Sequence, residues 1–206
     1  MILLLRLYLT RHGQTQSNLN KIMQGWHNSE LTELGKNQAK KLHKRIKHID
    51  FEEVYSSPLK RAIDTAKIVS GRENIKTIDN LKEIGLGVWE SRTQEEIKKT
   101  HADLFVNFWE YPHIFKAEEG ESFHDVKERA KKAINVIISK HDEGNVLIVT
   151  HAAILNVIML LFNNKDLSLV WQPPVQQNTA LNIVEVYNSN NYNVRLEGCT
   201  YHLDNM

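Results

Sequence analysis

Leu3-Leu4-Leu5-Arg6-Leu7-Tyr8-Leu9-Thr10-Arg11-His12-Gly13-Gln14-Thr15 is the stretch that decides the fold. Its apolar run reads as a buried strand that delivers Arg11 and His12 to the point where the chain turns at Gly13. A second run, Val146-Leu147-Ile148-Val149, ends in the same way at Thr150-His151, and a helix from Ala152 to about Phe162 follows at once. In a mostly parallel sheet both histidines emerge on one edge, on strands roughly 5 Å apart if adjacent. That carboxyl edge is where an α/β sheet binds its ligands. The helix opening at Ala152 aims free N–H groups at the same place, which makes an anion site. Arg61, in the first turns of its own helix, leans back toward that edge, where a planar guanidinium matches phosphate oxygens.

The remaining chain alternates helix and strand. Thr32 caps a helix from Glu33 to about Lys47 with Leu34, Ala39, Leu42 and Ile46 as its apolar stripe. Val54 to Ser56 is a short strand, and Ser57-Pro58 reads as cap and first position of a helix that Gly71 stops near Ser70. Ile75 to Ile78 alternates as a strand, and Thr93 to Thr100 is a short helix. Gly85 and Gly87 near Glu83 and Glu90 suggest backbone held close to a ligand. His101 to Glu119, with Phe105, Phe108, Trp109, Tyr111 and Phe115, reads as a partly helical aromatic lid within about residues 91–120. Ser122 caps a long helix, with Asp125 in the capping-box position, a stripe of Phe123, Val126, Ala130, Ala133, Ile134 and Ile137, and an end at Gly144. Ala180 to Val186 and Tyr192 to Leu196 are the last strands, joined by a hairpin-like turn over Asn188-Ser189-Asn190-Asn191. With no repeat and no linker, the expectation is one α/β domain over residues 1–206, a three-layer sandwich whose mostly parallel central sheet is flanked by helices.

Composition narrows the function classes. The chain has 206 residues, 41% hydrophobic and 25% charged, with a formal net charge of +1. That balance, without a Lys/Arg block, argues against nucleic acid as partner. Cys199 is the sole cysteine, so neither an internal disulfide framework nor a thiolate metal cluster is expected. The apolar start at Met1 is too short for a signal segment and no run approaches a membrane span. A cytoplasmic protein without membrane association is expected. His43 and His48, five apart on a helix, face different directions and make poor metal ligands.

These residues carry a family resemblance. Arg11-His12-Gly13-Gln14-Thr15, Asn18, Gln24-Gly25, Leu31-Thr32-Glu33-Leu34-Gly35, Tyr55 to Ala62, Glu83 to Glu90, Gly120-Glu121-Ser122 and Val149-Thr150-His151 resemble, in order, the histidine phosphatase superfamily in its phosphoglycerate mutase-like branch. The resemblance implies that His12 is the nucleophile and that Arg11, Arg61 and His151 hold the phosphate oxygens, with Asn18 assisting and Gln24, Gly25 and Ala152 at the binding site. It implies Glu83 as general acid and then base, with Glu90 as runner-up, and no metal or cofactor. The family usually has glycine where this chain has Ala152, so slight crowding is expected there. The acid phosphatase branch places a carboxylate just after the second histidine; Ala152 and Ala153 cannot donate a proton, so the resemblance puts the acid elsewhere, with Glu83 the best candidate and Glu90 the runner-up.

Two enzymatic readings follow: hydrolysis of small-molecule phosphomonoesters, or phosphoryl transfer between positions of a phosphoglycerate. A mutase must grip a polyanion, yet the lid has Lys116 as its only Lys or Arg against Asp103, Glu110, Glu118 and Glu119, and the tail from Cys199 to Met206 has no basic residue other than His202. Hydrolysis is the favoured reading, by a monomer or homodimer. A binding protein on an inactive scaffold is disfavoured because no member of the charge set is lost. Trp26, Phe108, Trp109 and Tyr111 are candidates to line the substrate pocket.

Overall fold

A computed structural model describes residues 4–188 and 191–204. In chain order the elements are β1 (Leu5–Arg11), α1 (Gln16–Leu19), α2 (Glu33–Ile46), β2 (Glu53–Ser56), α3 (Lys60–Ser70), β3 (Lys76–Thr77), α4 (Gln94–Thr100), α5 (Ala102–Glu110), α6 (Phe123–Ile138), β4 (Gly144–Thr150), α7 (Ala152–Phe162), β5 (Leu181–Asn188) and β6 (Asn191–Cys199). The strands form one sheet in the order β3-β2-β4-β1-β5-β6. The four strands from β3 to β1 are parallel, and β5 and β6 close the edge antiparallel.

Both faces of the two central strands are buried, so their apolar runs need no polar alternation. Leu5, Leu7 and Leu9 of β1, with Val146 and Ile148 of β4, pack on one side beneath α6 and α7. Tyr8, Leu147 and Val149 pack on the other side beneath α2 and α3. Helix α7 is apolar on every face apart from Asn156, and every residue from Ala153 to Leu160 is buried. The result is the α/β three-layer sandwich expected, with a six-stranded central sheet flanked by helices.

Three local expectations are corrected. Leu34 is exposed, and Gly35 and Gln38 take the inward positions of α2. Gly35 faces in because its Cα lies against the backbone of Gly13 and Gln14, where a Cβ would strike the Gln14 carbonyl. Ser57-Pro58 does not open α3; the helix starts at Lys60, whose N–H donates to Asn28 Oδ1, and the Ser57 hydroxyl turns inward to a histidine. Helix α6 ends at Ile138, capped by Ser139, and Gly144 (φ +94°) begins β4 instead. Residues Ser189 and Asn190 of the expected hairpin turn lie outside the described residues. The aromatic segment is built from α4, α5 and a 3-10 turn at Pro112–Ile114, and Phe108 and Phe115 pack with Trp89 and Phe123 into the sheet's own core.

Candidate active site

Parallel pairing places Arg11 opposite Thr150, and the His12 N–H extends the ladder to the Thr150 carbonyl at 2.9 Å. The rings of His12 and His151 therefore meet, with centroids 5.2 Å apart and planes tilted by 60°. Nδ1 of His12 lies 2.7 Å from the Gly13 carbonyl, an acceptor, so Nδ1 carries the proton and the Nε2 lone pair is free. Gly13 is fixed in turn by Thr65 Oγ1, which accepts its N–H at 3.0 Å, and by the close approach of Gly35. Asn178 Nδ2 donates to the His12 carbonyl at 2.9 Å.

Two guanidinium groups flank the nucleophile candidate. Arg61 is 1% exposed and donates from its two terminal nitrogens to the His27 and Gly25 carbonyls, each at 2.7 Å. Gly25 thus acts through its backbone; at φ +49° a Cβ there would strike the Glu90 carboxylate. Arg11 donates to the Gln176 carbonyl at 3.0 Å. Among the described residues the buried Nε atoms of both arginines and Nδ1 of His151 have no hydrogen-bond partner. Unpaired buried donors are costly, and the two arginine Nε groups beside the His12 imidazole make a place for an anion. Burial pulls Arg61 down to about 10, opposed by the Glu83 charge, so it remains a cation at neutral pH.

Glu83 approaches from the loop after β3. Its carboxylate accepts the Ile84 N–H at 3.0 Å and the Ala153 and Ile154 N–H groups at the start of α7 at 3.3 Å. The helix N-terminus expected to face phosphate therefore holds the acid candidate as well. The loop is clamped from behind by Arg129, which donates to the carbonyls of Asn80 (3.1 Å), Lys82 (2.5 Å) and Glu83 (2.9 Å). Arg129 also pairs with both oxygens of Glu121, whose Oε2 accepts the Gly85 N–H. Misplacing a catalytic group by about 1 Å costs roughly 10²-fold in rate. Arg129→Met is accordingly expected to lower kcat/KM for an alkyl phosphate by about 10- to 100-fold with KM little changed; unchanged kcat would show that the clamp does not hold Glu83.

The cavity over His12 has a volume of about 290 Å³. Arg11, His12, Asn18, Gln24, Gly25, Arg61, Glu83 and Ala152 all line it; His151 lies buried against His12 without lining it. Glu90 does not line it, because its Oε1 is taken by the Trp26 and Leu86 N–H groups at 3.0 Å. Phe108 and Trp109 line the cavity as expected, whereas Trp26 and Tyr111 do not. Trp171, Gln172, Val175 and Gln176 join it from the segment before β5, which carries no periodic signal in the sequence. His43 is accounted for by the Val69 carbonyl, 2.9 Å from Nδ1.

The family model described as histidine phosphatase superfamily (branch 1) matches residues 7–197. The chain belongs to the histidine phosphatase superfamily. Phosphoserine phosphatase 1 of Hydrogenobacter thermophilus is 30% identical over 170 residues, covering 82% of this chain and 81% of that protein. An adenosylcobalamin/alpha-ribazole phosphatase of Salmonella typhimurium is 30% identical over 185 residues, covering 88% and 92%. The solved structure of Bacillus stearothermophilus YhfR, 39% identical, superposes with a TM-score of 0.93 over 97% of this chain and 100% of that one. Among the described residues no helix is long and apolar enough to cross a membrane.

The electrostatics of this histidine phosphatase favour a neutral imidazole at the nucleophile candidate. Burial first, then Arg61 and Arg11, hold the His12 imidazole well below its ordinary 6.5. Burial, Arg61, His12 and Arg11 in that order do the same to His151. An unfolded chain protonates both histidines near pH 6.5 while the folded one does not, so below that pH the unfolded state binds more protons and stability falls. The urea midpoint is expected to be level near neutrality and to drop from about pH 6.5 downward. Its slope approaches about 1.4 kcal/mol per pH unit for each buried imidazole. A midpoint unchanged between about pH 6.5 and pH 5 would mean that both imidazoles are charged in the fold.

Proposed function

We propose that the protein hydrolyses small-molecule phosphomonoesters through a phosphohistidine on Nε2 of His12. The observation that carries this reading is the free Nε2 lone pair between two arginines whose buried Nε donors have no partner among the described residues. Nε2 attacks phosphorus as the bond to the ester oxygen breaks, and Glu83 gives its proton to that oxygen. Arg11, Arg61 and His151 meet the charge on the three phosphoryl oxygens, and Asn18 supports them from the cavity wall. Water then attacks phosphorus, yields its proton to the Glu83 carboxylate, and the P–N bond breaks to release inorganic phosphate. Because the cations come from the protein, the mechanism calls for no metal.

The leaving group is met by an uncharged wall of Phe108, Trp109, Trp171 and Met23 interleaved with the amides of Asn156 and Gln172. Among the described residues the lining has one further Lys or Arg beyond Arg11 and Arg61, the exposed Lys21. That supports esters with an uncharged organic group over the second anion that a mutase must grip. In this reading residues 91–120 cover the leaving group, the chain acts as one domain in the cytoplasm, and neither a second subunit nor nucleic acid is required for turnover. The test is phosphate release from p-nitrophenyl phosphate in excess EDTA. Turnover supports hydrolysis without a metal; phosphoryl transfer from 2,3-bisphosphoglycerate without net release would replace it with the mutase.

A further inference from the structure

Ser57 was expected to cap α3, but the structure gives its hydroxyl a different task. Ser57 follows β2, its N–H donates to the Val149 carbonyl at 3.0 Å, and its side chain is fully buried beside the end of β4. Its Oγ lies 2.7 Å from Nε2 of His151, which is also fully buried. The Leu59 N–H points at the same Oγ at 3.3 Å. An oxygen that already accepts from Leu59 has its own proton left to place, and the sole acceptor within reach among the described residues is the imidazole nitrogen. If Nε2 carried the proton instead, the Ser57 O–H would be stranded in a dry interior, at the full desolvation cost of an unmade hydrogen bond.

We propose that Ser57 is a positioning residue that fixes the tautomer of His151: the Ser57 hydroxyl donates to Nε2, so Nδ1 carries the proton and is the donor left for the phosphoryl group. This rests on the reading of the site as a phosphatase. It makes the two histidines mirror images in role. In His12 the backbone carbonyl of Gly13 holds the proton on Nδ1 and frees Nε2 to attack; in His151 the serine occupies Nε2 and leaves Nδ1–H to donate. The buried Nδ1 has no partner among the described residues, as the Nε atoms of Arg11 and Arg61 have none. With His12 neutral and His151 neutral, one imidazole supplies a lone pair and the other a proton donor, side by side at 5.2 Å. Both rings are then the same Nδ1–H tautomer, and their roles differ because His12 presents Nε2 to phosphorus whereas His151 presents Nδ1. The partner on the far nitrogen of a functional histidine is what sets this choice.

The first experiment needs no variant and no turnover. Long-range 1H–15N correlation of the intact protein near pH 7, with His151 assigned by the signal lost in His151→Ala, reads the tautomer directly. A protonated Nδ1 and a bare Nε2 are expected; a protonated Nε2 overturns the proposal even if the enzyme is active. Ser57→Ala is then expected to shift His151 toward the Nε2–H form and to lower kcat/KM by about 10- to 100-fold. In the His151→Ala background the same substitution should cost almost nothing, since the group it orients is gone. An equal loss in both backgrounds would assign Ser57 to general stability and sink the proposal. Wild type without monoester turnover would remove the phosphatase reading while leaving the tautomer measurement to decide its own question.

Discussion

His12→Ala is expected to lower p-nitrophenyl phosphate hydrolysis in EDTA by at least about 10⁴-fold, the scale on which removal of a covalent nucleophile acts. The size of the effect follows from the site's division of labour. In the proposed mechanism Arg11, Arg61 and His151 stabilise a phosphoryl group in transit but none offers a free lone pair to phosphorus: a guanidinium has only donors, Arg61 remains a cation, and Nε2 of His151 is occupied by Ser57. Without His12, water would have to attack directly, from a position the cavity has built for an imidazole. Rapid quenching of wild type with labelled substrate should trap one acid-labile, base-stable phosphoryl group per chain, and the variant none. The fold should survive, because β1 and β4 are held by Leu5, Leu7, Leu9, Val146 and Ile148 rather than by the histidine; an unchanged near-ultraviolet dichroism spectrum checks that. Activity retained in His12→Ala would dismiss the mechanism at its centre.

The parts of this molecule legible in the sequence are those where burial and periodicity agree. Helix α7 is bounded at both ends because the run between His151 and Asn163 is apolar save for Asn156, and the stripe of α6 matched residue for residue. Two doubly buried parallel strands that each end in histidine bring His12 and His151 to one sheet edge, and the structure makes those strands neighbours. Where the inward residue is small or polar, the pattern misleads. Gly35 and Gln38 are buried because they press against the Gly13 turn and accept from the Gln14 N–H, and an apolarity scan passes over both in favour of Leu34. Ser57 looks like a cap because its neighbour is proline, yet its task is set by a histidine 94 positions away. Trp171, Gln176 and Asn178 lie in a segment with no repeat of any period, held by hydrogen bonds to residues distant in sequence, among them Phe108, Arg11 and His12. Arg129 sat on the polar side of an amphipathic helix, where nothing in the sequence distinguishes a loop clamp from a solvated arginine.

Glu83→Gln should separate the two halves of the reaction, and its signature depends on the leaving group. The glutamine amide keeps an oxygen to accept the Ile84, Ala153 and Ile154 N–H groups, so the loop clamped by Arg129 has no reason to move. What is lost is a transferable proton. For an alkyl phosphate, whose alkoxide leaves poorly, formation of the phosphohistidine is expected to slow by about 10²- to 10⁴-fold, the usual worth of general acid catalysis. For 2,4-dinitrophenyl phosphate, whose phenolate needs no proton, the first turnover should stay within about tenfold of wild type. The second step has no such escape, because water must surrender its proton to the carboxylate that the variant lacks. With the activated ester the variant should therefore show a burst of one dinitrophenolate per chain followed by a slow steady state, and the phosphohistidine should accumulate. Equal losses for both esters, with no burst, would assign Glu83 to holding the loop against α7 and would require a different proton donor. Glu90 could not be that donor in the observed geometry, since Trp26 and Leu86 hold its Oε1 away from the cavity. A burst confined to the activated ester would instead place one carboxylate on both sides of the phosphoenzyme, acid in its formation and base in its breakdown.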